Sequence, residues 1–197
     1  MSKCSASVIP SLSLDTLKGV LGKRVVSLNR YSWWPKEDVA TECGELENSS
    51  AFSLTYGPLG IAFENGTVIG IAEEPSLNSV VIWVDRMNGA DVRHPAMDED
   101  PDLFKISATD SEFAGALFGQ LIGDKLIALA IVKPRSMNAL LSALPSEVGL
   151  CFSFESGKKF IAGRGLHREG GDFAVIEYEK IPELTKLEII EEPMFKT

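Results

Sequence analysis

The sequence predicts a mainly β protein, with α+β left open, in which two tandem strand-hairpin-strand repeats form antiparallel sheets beside one or two short helices. Three observations carry this. Asn65-Gly66 stands between two apolar runs, the strongest short-range signal for a two-residue hairpin loop. Phe154-Glu155-Ser156-Gly157 repeats the order of Phe63-Glu64-Asn65-Gly66, again between strand-like runs. The runs themselves are rich in Val, Ile, Phe and Trp and are apolar on both faces, as befits strands covered by two layers.

Taken in order, residues 14–22 read as a short amphipathic helix or turn stopped at Gly22. Residues 23–31 form a strand through Val25, Val26 and Leu28, which Trp33-Trp34-Pro35 closes because proline has no N–H to give to a ladder. Residues 36–50 are acidic and read as a long loop. Phe52-Ser53-Leu54-Thr55-Tyr56 alternates cleanly and is expected to lead into the hairpin as an edge strand. A two-residue hairpin loop would place Val68 opposite Phe63 and Ile69 opposite Ala62. Residues 78–85, with Val80, Val81, Ile82 and Trp83, supply the next strand. Residues 86–114, with Gly89, Pro95, Pro101 and an acidic cluster, read as a linker between halves of about 14–85 and 115–190 within one domain of residues 1–197.

The second half repeats the first. Residues 119–129 match residues 18–28 at an offset of 101 positions, whereas Gly157 follows Gly66 by 91. The offset shrinks because a shorter segment, residues 136–144, replaces the acidic loop; its Met137, Leu140, Leu141 and Leu144 have helical spacing. In the second hairpin Glu155 is expected across from Lys158 as an opposite-charge pair. Residues 172–178 are the counterpart of the Trp83 strand, and residues 187–190 are a last short strand before a charged tail. Periodicity leaves open whether the sheets form a sandwich or a closed barrel.

With 28 acids against 19 bases, a formal charge of −9 sets up a field that repels phosphate backbones, so nucleic acid is not an expected ligand. No apolar run approaches the ~20 residues of a membrane span, and the N-terminus has no signal-peptide pattern, so a cytoplasmic protein is expected. Cys4, Cys43 and Cys151 are odd in number and far apart, which favours reduced thiols over disulfides or a zinc site. Between positions 36 and 47 the acids Glu37, Asp38, Glu42, Glu45 and Glu47 face one lysine, whereas residues 115–168 carry seven bases against three acids. A strongly acidic face suits a basic partner, although solvated loops are the commoner explanation.

Asp98, Asp100 and Asp102 have the spacing of the first calcium ligands of a helix-loop-helix site, but Leu103 and Thr109 stand where that loop needs glycine and glutamate. Neither His94 nor His167 has a partner at metal-ligand spacing, and the glycines at 163, 165, 170 and 171 open no helix for a nucleotide phosphate. No metal, cofactor or catalytic residue is assigned, and no enzyme is expected. Arg164, His167 and Arg168 are the nearest approach to a polar constellation and mark an alternative ligand site between the repeats. Trp33 and Trp34 are adjacent, so in an extended segment they face opposite ways; one exposed beside an acidic loop would suit an interface, whereas most tryptophans are buried.

The duplicated hairpin, the segment Ser76-Leu77-Asn78-Ser79-Val80-Val81-Ile82-Trp83-Val84 and its counterpart, which runs from Gly165 through Leu166 and His167 to Ile176, resemble small acidic bacterial immunity proteins of polymorphic, interbacterial toxin systems. The resemblance implies an inhibitor that binds a cognate toxin and blocks its active site with no chemistry of its own. The expected partner-binding residues are Trp33, Trp34, Glu37, Asp38, Glu42, Glu45, Asp98, Glu99, Asp100 and Asp102, facing a toxin of basic character. Homodimerisation through an edge strand is a further possibility.

Overall fold

The computed structural model describes residues 6–43, 46–93, 95–167 and 172–196. Strand β1 (Val25–Ser32) is followed by the hairpin of β2 (Leu59–Phe63) and β3 (Val68–Glu74) and then by β4 (Ser79–Met87), each antiparallel to the one before. The short β5 (Ala90–Asp91) pairs with β4, and β6 (Phe104–Ser107) returns to the other side of β1. This sheet has the order β5-β4-β3-β2-β1-β6.

The second half repeats the meander with β7 (Leu126–Pro134), β8 (Gly149–Phe154), β9 (Lys159–Arg164) and β10 (Phe173–Glu177). Strand β11 (Ile189–Lys196) then returns to β7, giving the order β10-β9-β8-β7-β11. Both sheets are antiparallel, as the sequence predicts; the first copy gains a returning strand, β6, that periodicity missed, and the last strand expected at residues 187–190 begins at Ile189 and runs on to Lys196. Residues read as linker hold β6, and residues read as charged tail lie in β11.

The two sheets share one core. Leu28, Ile61 and Ile71 of the first and Leu129, Phe152 and Phe160 of the second belong to a single buried cluster, so the layers form a sandwich. Their outer faces are also partly covered: Tyr31, Trp83 and Met97 cluster on the first sheet, and Cys151, Ile161 and Ile181 on the second. Apolar residues on both faces of the hairpins are thereby accounted for.

The copies meet through reciprocal backbone bonds. The Gly22 N–H donates to Leu126 O at 2.7 Å and the Gly123 N–H to Val25 O at 2.7 Å. Val25 N–H donates to Asp124 O at 2.9 Å, and Leu126 N–H to Lys23 O at 3.0 Å. These four bonds exchange residues related by the 101-position offset, the pattern of a twofold contact inside one chain. Gly22 and Gly123 both have positive φ, 76° and 84°, which a residue with a Cβ adopts only with strain.

The hairpin loops have three residues, not two. Gly66 N–H donates to Phe63 O, Phe63 N–H donates to Thr67 O, and only Gly66 in this turn has positive φ, so Ala62, not Phe63, lies opposite Val68. This is a type I turn closed by a glycine bulge. Phe154, Gly157 and Lys158 repeat it, and Glu155 consequently faces Lys125 at 3.8 Å instead of Lys158. The shift has a tertiary cause: Glu64 N–H is taken by Arg24 O at 3.0 Å and Glu155 N–H by Lys125 O at 2.9 Å, at corresponding points of the two copies.

The helices are α1 (Leu14–Val20), α2 (Val39–Glu42), α3 (Ala51–Leu54), α4 (Ala116–Gly119) and α5 (Glu183–Glu188). Helix α3 replaces the edge strand expected there. Both sides of β1 are already paired, by β2 and β6, so the segment turns inward and places Phe52 against Phe118 of α4, ring centroids 4.7 Å apart. Residues 136–144 form only a single 3-10 turn, Leu141–Ala143, and leave Met137 and Leu140 exposed. Helical spacing there had no surface to pack on.

Gly70 of β3 lies directly under the Trp83 indole, and a Cβ at this position would fall within the ring. Gly70→Ala is expected to cost about 1–3 kcal/mol through overpacking. Urea denaturation measures it, and an unchanged midpoint would contradict the packing described.

Candidate functional site

Strand β1 ends at Ser32, and the chain then turns so that the two tryptophans separate. Trp34 packs against the core and against Tyr56, centroids 5.8 Å apart, with its N–H on the Ser32 hydroxyl at 3.1 Å. Trp33 points outward and is 53% exposed. It borders a cleft of about 270 Å³ between the outer face of the first sheet and the acidic segment, lined also by Trp83, Arg93, Met97, Asp100 and Leu103. The Arg93 guanidinium stacks over the Trp83 ring at 4.7 Å.

The acidic segment is held by a buried acceptor. Asp85 Oδ1 accepts the Met97 N–H at 3.1 Å, and the Asp85 carbonyl accepts Val92 and Arg93 N–H groups. Asp98 is tied down as well, taking the Tyr31 hydroxyl at 2.7 Å and Lys105 Nζ at 3.2 Å. Burial works to raise the Asp98 carboxyl, but these two bonds outweigh it and hold the group below its usual range. Asp98 therefore fixes the segment, while Glu99 and Asp102 stay exposed and Asp100 lines the cleft.

The structure thus brings Trp33 and Asp100 to one place. Glu37, Asp38 and Glu42 are exposed on and before α2 and line none of the three clefts described in this section. Glu45, His94 and Arg168 lie outside the described residues. The alternative trio is divided: Arg164 Nη1 reaches Asn78 Oδ1 at 3.4 Å and its Nε lies 4.0 Å from Glu73, whereas His167 lines a separate cleft of about 580 Å³ with Ser50, Ser53, Leu54 and Lys180. Among the described residues no group of three or more His, Cys, Asp or Glu is placed to hold a metal.

Of the thiols described, Cys151 is buried in β8 and pushed up to about 12 by burial and by Glu191. It belongs to the core. No helix among the described residues is long and apolar enough to cross a membrane.

Arg30 was invisible to sequence reading. It sits in β1 on the face of Leu28, fully buried, while its partner at the 101-position offset is Ile131. Its Nη2 donates to the Thr55 carbonyl and to Phe173 O at 3.4 Å, and its guanidinium stacks 4.7 Å from the Phe173 ring. Nε and Nη1 have no hydrogen-bond partner among the described residues. Burial lowers the guanidinium to about 9, and the fields of Cys43 and Glu73 offset only part of this. A basic residue in a β-branched run gives no sign that it will face inward; only the mismatch between Arg30 and Ile131 in the aligned copies could have drawn attention to it.

No family model, curated protein or solved structure matches this chain.

Because Arg30 is lowered from its ordinary value, its charge penalises the folded state below about pH 9, and wild-type stability rises as the pH climbs through that value. Arg30→Met, which keeps the length and removes the charge, is expected to be about 1–4 kcal/mol more stable at neutral pH, with the gap closing above pH 9. Chemical denaturation across pH tests this; a destabilised variant would show that the charge is compensated.

Proposed function

We propose that this is an immunity protein that binds a cognate bacterial toxin domain, of basic character, and neutralises it by covering its active site, with no catalysis of its own. One observation carries the reading: a 53% exposed tryptophan stands beside a pinned acidic segment over a cleft able to accept a partner side chain. Aromatic residues that become desolvated on docking dominate interface energies. The formal charge of −9 adds long-range attraction for a basic partner. The resemblance to acidic immunity proteins supplies the class.

A second reading, a small-molecule-binding or enzymatic β domain, is favoured by the 580 Å³ cleft, which joins Ser50 and Ser53 from the first half to His167 and Lys180 from the second. That volume is in the range of drug-sized ligand sites, about 300–1,000 Å³. A small carboxylate or phosphate compound that raises the melting temperature of the wild type but not of His167→Ala would favour it.

The primary reading is tested by co-purification with the product of the adjacent gene and by protection of cells expressing that product. Trp33→Ala is expected to weaken the complex by about tenfold or more while leaving the melting temperature nearly unchanged, since an exposed side chain contributes little to the fold. Absence of both association and protection would overturn the proposal.

A further inference from the structure

The cleft under the acidic segment does not end at Trp33. Trp33, Pro58 and Ala72 also line a second depression of about 180 Å³, which runs to Tyr56, Glu73 and Phe173. The two therefore adjoin at the exposed indole, as two compartments of one groove. Neither compartment, at about 270 and 180 Å³, reaches the ~300 Å³ at which drug-sized ligand sites begin, but each has room for a single side chain.

The charges of the groove are lopsided. Glu74 and Asp100 line one compartment and Glu73 the other, and among the described residues that line them the cation is Arg93, which already stacks on Trp83. Glu73 is raised by burial, and Asp172 and Glu74 add to this; Arg164 and Arg30 offset it incompletely. Its ion pair with Arg164 is long, at 4.0 Å. A carboxylate in this position gains from an added positive charge, and the open face of Trp33 is an acceptor for one.

We infer that this groove takes an extended segment of the protein partner carrying Lys or Arg side chains, facing Glu74 and Asp100 in one compartment and Glu73 in the other. The inference rests on the proposed function and specifies what the partner presents. Basic side chains have long apolar stems that suit the Pro58, Ala72 and Leu103 walls while their heads meet carboxylates.

The test uses the full chain with the adjacent gene's product. Glu73→Gln combined with Asp100→Asn is expected to weaken the complex by about tenfold or more and to flatten its salt dependence. Hydrogen exchange is expected to slow at residues 72–74 and 98–103 on complex formation. If the complex forms but the double variant binds as tightly as wild type and those amides are not protected, the groove inference is wrong while the function stands. If no complex forms, the function is wrong, and hexa-arginine amide then probes the groove alone by heteronuclear NMR. A saturable shift of the Trp33 indole signal that the double variant loses supports the groove; no shift, or an equal shift with hexa-glutamate, overturns it.

Discussion

The reciprocal bonds between Gly22, Lys23 and Val25 and Gly123, Asp124 and Leu126 are the constraint on which the rest depends. Each copy of the meander is an antiparallel sheet whose inner face is the larger apolar surface, and neither can bury that face alone. The four bonds fix how the copies face each other, and every core contact between Leu28 or Ile61 on one side and Leu129 or Phe152 on the other follows from that placement. The same junction reaches the hairpins, because Arg24 and Lys125, the residues at its centre, offer the carbonyls that take up Glu64 and Glu155 N–H groups. Turn type, register and sheet stacking are thus set together.

Against this symmetry the first copy carries two departures, and they are connected. Its β1–β2 connection, residues 33–58, is longer than residues 135–148 of the second copy and holds Trp33, Trp34, α2 and α3. Arg30 stands where the second copy has Ile131, and its guanidinium joins the Thr55 carbonyl at the end of α3 to Phe173 of β10. A buried charge with two nitrogens unpartnered among the described residues costs stability, so its presence is better explained by what it positions. It pins the long connection to the opposite sheet, and that connection presents the indole of Trp33.

The meanders were legible in the sequence because each strand announces itself locally, through β-branched runs and glycine turns such as Asn65-Gly66. What was not legible was decided between distant residues. Asn-Gly serves both a two-residue turn and a type I turn with a glycine bulge, and the choice fell to the Arg24 carbonyl about 40 residues away. Phe52 to Tyr56 alternates like a strand, but β6 had already taken the available side of β1. The site was legible to the same degree. Trp33 and Trp34 were visible beside the acidic loop at 36–50, and the cluster Asp98 to Asp102 separately, whereas the meeting of Trp33 with Asp100, and the arrival of Trp83 and Glu73 by strand register and of Arg93 by its N–H bond to the Asp85 carbonyl, were not; Asp98 turned out to be an anchor for Tyr31 and Lys105.

The acidic balance of the chain accordingly divides into two physical roles. Some carboxylates are spent on the fold: Asp85 and Asp98 hold the segment over the cleft, and Asp110 and Asp91 pair with Lys36 and Arg86 at 2.7 and 2.6 Å. The exposed acids of α2 and its approach, Glu37, Asp38 and Glu42, act on a distant partner only through the summed field, which salt screens within about 10 Å. Such charges speed encounter with a basic surface and discriminate little between partners. Glu73, Glu74 and Asp100 differ because they stand around an aromatic face, where water is displaced on docking and the same charge acts through a lower dielectric. Under the proposed function, specificity is assigned to that groove, and the remainder of the −9 to drawing a basic partner towards it.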